Sequence, residues 1–148
     1  MRISLIILVI MLVLISAADI RTMKIPEIMI IIAAAASFIG LFEGVTLKEY
    51  LTGLIPAAVI LAAVLIMEAL VHRKLMGGGD IRLIAVIGLY LGMESTFIAI
   101  LIAAAAAIPV RMIKRDGTKA FPFAPMLAAG ALIVIIAGQL LFVRIQGL

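Results

Sequence analysis

LTGLIPAAVILAAVLIMEALV, residues 51–71, contains only one charged residue, Glu68. A helix needs about 20 apolar residues to cross a hydrocarbon core of about 30 Å, so this segment is long enough to span a membrane. Lipid-exposed strands would leave unpaired backbone groups in hydrocarbon, which favours helices throughout. The sequence therefore predicts an all-α, polytopic membrane helix bundle with about six transmembrane helices, of which the fourth is short. The predicted segments are 3–18, 28–42, 51–71, 81–91, 96–113 and 123–143.

The composition of the whole chain supports a membrane protein. Its 148 residues are 67% hydrophobic and 14% charged, with a mean hydropathy of +1.41. A soluble domain usually carries about 25% charged residues. The apolar segments run from end to end, so we expect one membrane-embedded domain over residues 1–148. Glu43 and Glu49 fall between two apolar segments and are expected to be solvated loop charges.

The same composition narrows the possible functions. There is no cysteine, which excludes disulfides, thiol catalysis and thiolate zinc sites. With His72 as the single histidine, we expect no metal site. The net charge is +4, but no basic face or cluster of aromatic residues accompanies it, so we expect no nucleic-acid partner.

The distribution of Lys and Arg predicts the orientation in the membrane. With six crossings, nine basic residues fall in loops on one side and three on the other, and the richer side usually faces the cytoplasm. Both termini are therefore predicted on the outer side of the cytoplasmic membrane. The predicted inner residues are Arg21, Lys24, Arg73, Lys74, Arg82, Arg111, Lys114, Arg115 and Lys119, and the outer ones are Arg2, Lys48 and Arg144.

Two aspartates stand at the inner ends of predicted spans. Asp19 directly follows the first span, where it could simply pair with Arg21 or Lys24. Asp80 follows three glycines, where it could simply be a helix N-cap. Three consecutive glycines allow close backbone approach at an entropic cost that an ordinary turn need not incur. We therefore expect a non-helical glycine loop that lines a water-filled cavity or is buried in protein.

Two carboxylates on one side of the membrane are what peptide hydrolysis by an aspartic mechanism requires. One must be ionised to take a proton from water, while the other must be protonated to polarise the scissile carbonyl. Close carboxylates do not both ionise readily, so such a pair shares a proton. Asp19 and Asp80 are the candidates for this pair.

Three short motifs around these residues resemble a known family. Gly77-Gly78-Gly79-Asp80 fits the GxGD signature of intramembrane aspartic peptidases, and the stretch 77–83 resembles the G-x-G-D-x-[K/R]-L motif of type IV prepilin peptidases. Asp19 followed by Ile25-Pro26 resembles the first-aspartate motif of that family. Pro122-Phe123-Ala124-Pro125 resembles the proline-containing motif that opens its last span. The GxGD motif alone would be weak evidence for the family, but three motifs in this order make a strong resemblance.

The resemblance implies an activity, a substrate and a set of site residues. The expected activity is intramembrane aspartic endopeptidase, removing a short basic leader from prepilin-like, Flp-type precursors at the cytoplasmic face without metal or cofactor. An archaeal preflagellin peptidase is a near relative that remains open. Asp19 and Asp80 are expected to be catalytic. The residues expected to bind substrate or support the loops are Gly77, Gly78, Gly79, Arg82, Pro26, Pro122 and Pro125.

The sequence also departs from the family pattern. Glu27 stands where Asn is usual, Ala124 where Gly is common, and Arg82 where Lys is more frequent. Larger bifunctional members carry an N-terminal cytoplasmic region with paired cysteines that N-methylates the product. No such region is found here, so a peptidase without N-methyltransferase activity is expected.

Two other classes of function remain open from the residues alone. A small proton- or ion-coupled transporter could use the same buried aspartates, although it would not need the GxGD loop. A noncatalytic assembly scaffold would cleave nothing. The oligomeric state is also open, as are the roles of Glu27, Glu68 and Asp116, which are candidates for attracting a basic leader.

Overall fold

The computed structural model describes residues 2–72, 76–113 and 122–146, and these residues form helices and turns without any strand. The all-α prediction is confirmed. The helices are α1 Ile3–Thr22, α2 Glu27–Ser37, α3 Ile39–Phe42, α4 Leu47–Thr52, α5 Ile55–Val71, α6 Gly78–Ile113 and α7 Ala124–Gln146.

Each predicted apolar segment corresponds to helix, but the boundaries differ. The second segment is α2 continued by the short α3, and the third is α4 and α5, which together run from Leu47 to Val71. Pro56, which lies inside the third predicted span, is the second residue of α5 and buried there. A proline in the first turn costs no helix hydrogen bond, so Pro56 begins a helix.

The predicted fourth and fifth spans are joined in α6 through one non-helical residue, Gly92. Its φ of 77° is a conformation that glycine adopts readily and other residues avoid. Before Gly92, the chain runs from Asp80 to Tyr90, which donates a hydrogen bond to the Ala33 carbonyl oxygen. After Gly92, Ala99 and Ala103 face Gly130 of α7. Tyr90 and Ser95 lie beside the later part of α7, whereas Asp80 and Ala103 lie nearer its start, so the chain reverses direction at Gly92.

The helix contacts define two ends of the bundle. At one end, which we call the aspartate end, Asp19 of α1 meets the start of α7, and the start of α6 lies beside them. At the opposite end, Glu43 contacts the first residues of α1. The core between the ends comes mainly from α1, α6 and α7, with smaller contributions from α2 and α5. Its largest fully buried side chains include Leu8, Leu12, Ile15, Leu83, Ile84, Ile87 and Leu127.

The outer surface of the bundle carries many large apolar side chains. Large aliphatic side chains are more than half exposed on α1, α5, α6 and α7, for example Ile10, Leu65, Leu101 and Leu140. Among the described residues, four helical stretches are long and apolar enough to cross a membrane. An exposed aliphatic surface of this kind faces lipid, and the protein is a multi-pass membrane protein.

Candidate active site

Asp19 is buried in the last turn of α1, with 5% of its surface exposed. Its carboxylate accepts a hydrogen bond of 3.3 Å from the backbone N–H of Ala124, the first residue of α7. A carboxylate at a helix N-terminus is favoured by the helix dipole and by the free N–H groups there. Within the described ranges, no ion pair joins Asp19 to Arg21 or Lys24. The simple pairing considered from the sequence is therefore not what holds Asp19.

Asp80 is the third residue of α6 rather than its N-cap. Its N–H donates to the carbonyl oxygen of Gly77 at 3.1 Å, and its carboxylate accepts a hydrogen bond from the Gly77 backbone. The bond from the Gly77 backbone to the Asp80 carboxylate is one half of a capping box; glycine has no side chain to supply the other half. The expected non-helical glycine loop is wrong for Gly78 and Gly79, which are the first two residues of α6, whereas Gly77 lies outside the helix.

Asp19 and Asp80 line the same cavity, whose volume is about 380 Å³. The cavity is formed by the turn after α1 and the start of α6, and its other lining residues are Met23, Lys24, Ile25, Glu27, Gly77, Gly79 and Arg82. The structure thus brings together the two carboxylates that the sequence singled out.

The glycines before Asp80 differ in what they do. A Cβ atom on Gly79 would lie 3.2 Å from the Cβ of Ile25, so the absence of a side chain lets α6 approach the turn after α1. A Cβ on Gly77 would lie 3.3 Å from the Asp80 carboxylate. Gly78 has open space around it and does not line the cavity. Close approach is therefore required at Gly79 and Gly77 rather than at all three positions.

The predicted prolines do not line the cavity, but each lies within two positions of a residue that contacts the site. Pro26 comes directly before α2, whose first residue is Glu27. Pro122 precedes α7, and Pro125 is its second residue, where a missing N–H costs no helix bond. These prolines help to start the helices at Glu27 and at Ala124, the residue that donates to Asp19.

Arg82 and Glu27 form an ion pair that the sequence did not predict. Their side chains are 57% and 74% exposed, and exposed pairs of this kind typically contribute about 0–1 kcal/mol. At both positions the residue differs from the one that is usual in the family. This shared departure was the one sequence signal that could have linked Glu27 to Arg82. The lining roles of Met23, Lys24 and Ile25 were also missed, since these residues follow Asp19 in a turn without a motif of their own.

Glu68, another acidic candidate, does not line this cavity. The Glu68 carboxylate accepts a hydrogen bond from the Met76 N–H at 3.5 Å. Asp116 lies outside the described residues. Where the structure describes the chain, no three His, Cys, Asp or Glu residues cluster in a way that could hold a metal ion.

The fold and the site define a class of protein: a helical membrane protein in which two carboxylates meet in a cavity at one end of the bundle. Residues 6–112 match the type IV leader peptidase family, and the chain belongs to that family. The resemblance found in the sequence is confirmed.

A curated relative is the prepilin leader peptidase/N-methyltransferase of Bacillus subtilis (strain 168). It is 33% identical to this chain over 141 residues, covering 87% of the chain and 53% of the relative. The chain thus spans about half the length of the curated relative that it matches. No solved structure matches it.

Proposed function

We propose that this chain is an intramembrane aspartic endopeptidase that removes the short basic leader from type IV prepilin-like precursors of the Flp type. Asp19 and Asp80 are its catalytic pair, and they act at the cytoplasmic face of the membrane. The observation that carries the proposal is that the two carboxylates line one cavity. Membership of the type IV leader peptidase family supports the peptidase activity.

The proposed mechanism is general acid–base attack of water on the scissile peptide bond. The ionised carboxylate of the pair takes a proton from water as that water attacks the carbonyl carbon. The protonated carboxylate donates a hydrogen bond to the carbonyl oxygen. No covalent intermediate forms, and the two groups titrate as a pair.

The surroundings of the pair fit this mechanism. The Ala124 N–H holds the Asp19 carboxylate in place from one side. The Gly77 backbone holds Asp80 from the other side. Because each carboxylate is held by a different helix start, their separation depends on how α6 and α7 sit against α1. A substrate in the cavity would lie between groups whose orientation is already set.

The transporter alternative is not favoured, because the chain and its curated relative point to leader peptidases. The expectation that the chain lacks N-methyltransferase activity stays a prediction, since the relative's printed name includes both activities.

The test is cleavage of a prepilin-like peptide by the purified chain and by the variants Asp19→Asn and Asp80→Asn. Each variant removes one ionisable group with almost no change in shape, and we expect kcat/KM to fall by at least about 10²–10⁴-fold. Glu94→Gln is the matched control, because it makes the same chemical change at an exposed residue beside Gly92, and it should cleave like the unaltered chain.

Circular dichroism and thermal unfolding in detergent would show that the variants are folded. If a folded Asp19→Asn or Asp80→Asn variant keeps its activity, the proposed pair is wrong. If the unaltered chain cleaves no prepilin-like peptide, the proposed function itself is wrong.

A further inference from the structure

The residues that line the cavity at the aspartate end differ in exposure, from a buried floor to a solvent-exposed rim. Asp19 is buried, whereas Glu27 and Arg82 are largely exposed and contact each other. Lys24, also exposed, completes the charged residues that line the cavity. A peptide that occupies this cavity therefore lies beside the Glu27–Arg82 pair.

This ion pair is not what attaches α2 to α6. Farther along both helices, the Tyr90 hydroxyl donates a buried hydrogen bond of 2.8 Å to the Ala33 carbonyl oxygen. Ile30 and Ala33 are themselves in the core. An exposed pair adds little to an interface already held in this way, so its partners can be exchanged at small cost.

The charges around the cavity favour a cationic side chain at the rim. Three of the lining residues are acidic, Asp19, Asp80 and Glu27, and only Glu27 presents its carboxylate at the exposed edge. An anionic side chain beside Glu27 would be repelled by its exposed carboxylate and by the ionised member of the pair below it, whereas a cationic side chain would be attracted by both. Arg82 already occupies the position beside Glu27 that such a cation would take.

We propose that Glu27 is a specificity residue that binds a lysine or arginine side chain of the substrate, and that Arg82 holds this position until the substrate displaces it. This inference rests on the proposed peptidase function. It predicts opposite effects for the two partners of one ion pair: removal of Glu27 weakens the preference for a cationic substrate, while removal of Arg82 strengthens it.

The experiment compares two peptide substrates that are identical except for one Lys in the leader segment, replaced by Gln in the second peptide. The measured quantity is the ratio of kcat/KM for the Lys peptide to that for the Gln peptide. We expect Glu27→Gln to lower this ratio about tenfold, mainly through KM, because a charge-assisted hydrogen bond is lost. We expect Arg82→Gln to raise it about threefold, since the competing cation is gone.

Salt and a distant acidic residue provide the controls. The preference of the unaltered chain should decline as ionic strength rises, because the rim is exposed to solvent. Glu27→Gln should show a smaller salt dependence. Glu94→Gln, which removes an exposed carboxylate on the other side of the molecule, should leave the ratio unchanged.

The outcomes separate this inference from the function on which it rests. If Glu27→Gln and Arg82→Gln reduce cleavage of both peptides in parallel, the pair is a structural clamp and the inference is wrong. It is also wrong if the unaltered chain cleaves the Lys and Gln peptides equally well, although the peptidase function would then stand. If neither peptide is cleaved, the peptidase function fails and the inference fails with it.

Discussion

Glu43 shows how one residue completes a helix that is distant in the sequence. Its carboxylate accepts hydrogen bonds from the backbone N–H groups of Ile3 and Ser4 and from the Ser4 hydroxyl. The first N–H groups of a helix lack partners within it, so Glu43 satisfies part of the N-terminus of α1. The expectation that it is merely a solvated loop charge is wrong. Glu49 likewise has a local role, as the acidic half of a capping box with Thr46.

Because of these contacts, the stability of the fold should depend on pH. The hydrogen bond from the Ser4 side chain, helped by the backbone N–H groups and by Arg2, holds the pKa of Glu43 below its ordinary value of 4.5. A group with a lowered pKa in the folded state stabilises the fold above its ordinary pKa, and this stabilisation is lost as the pH falls through the lowered value. We therefore expect Glu43→Gln to lower the melting temperature at pH 7 and to have a smaller effect near pH 3.

The measurement is thermal unfolding of both proteins in the same detergent across that pH range. Glu94→Gln is a suitable control, since it removes an exposed carboxylate near the same end of the bundle. A melting difference for Glu43→Gln that stays constant down to pH 3 would contradict the assignment.

At the scale of helices, close crossings depend on glycines that leave room for a neighbouring backbone. A Cβ atom on Gly88 of α6 would overlap the carbonyl oxygen of Gly53, between α4 and α5. A Cβ on Gly130 of α7 would overlap the carbonyl oxygen of Ala99 in the second half of α6. Small residues at such crossings let helix backbones pack directly, which is how helices associate where lipid removes the hydrophobic driving force.

These crossings make a prediction with an internal control. Gly88→Ala and Gly130→Ala should each lower the free energy of unfolding by about 1–3 kcal/mol, because the backbones must separate to admit a methyl group. Gly138→Ala, in the same helix as Gly130, meets no atom within 4 Å and should be neutral or stabilising by up to about 1 kcal/mol. Denaturant-induced unfolding in mixed micelles measures all three. Equal effects at Gly130 and Gly138 would argue against the crossing.

At the scale of the whole molecule, the two ends of the bundle carry different groups. Asp19, Asp80 and the cavity lie at one end, and Glu43 and Gly92 lie at the other. The loop charges predict that the aspartate end faces the cytoplasm. That orientation stays a prediction, and it would place cleavage on the side where a leader peptide is made.

The absence of cysteine makes this orientation easy to measure. Lys24→Cys and Lys48→Cys each add one thiol, at exposed positions at the aspartate end and the opposite end, respectively. In intact cells, a membrane-impermeant maleimide should label the Lys48→Cys protein and should label Lys24→Cys only after the membrane is permeabilised. The reverse pattern would place the cavity on the outer side.

Local features of the chain were enough to predict its helices and to single out its two aspartates. The length and hydropathy of the apolar segments predict helices, because each span is a run of neighbouring residues. Three short motifs were enough to indicate the family, since each consists of residues close in the sequence.

The contacts that the site residues make could not be predicted from such local features. Ala124 lies 105 positions from Asp19, and Glu27 lies 55 positions from Arg82. Such contacts depend on how each helix is rotated and packed. In soluble proteins, a polar stripe reveals that rotation, but these helices are apolar on both their lipid-facing and their core-facing sides. The three-dimensional packing of α1, α6 and α7 therefore determined that Asp19 and Asp80 share one cavity.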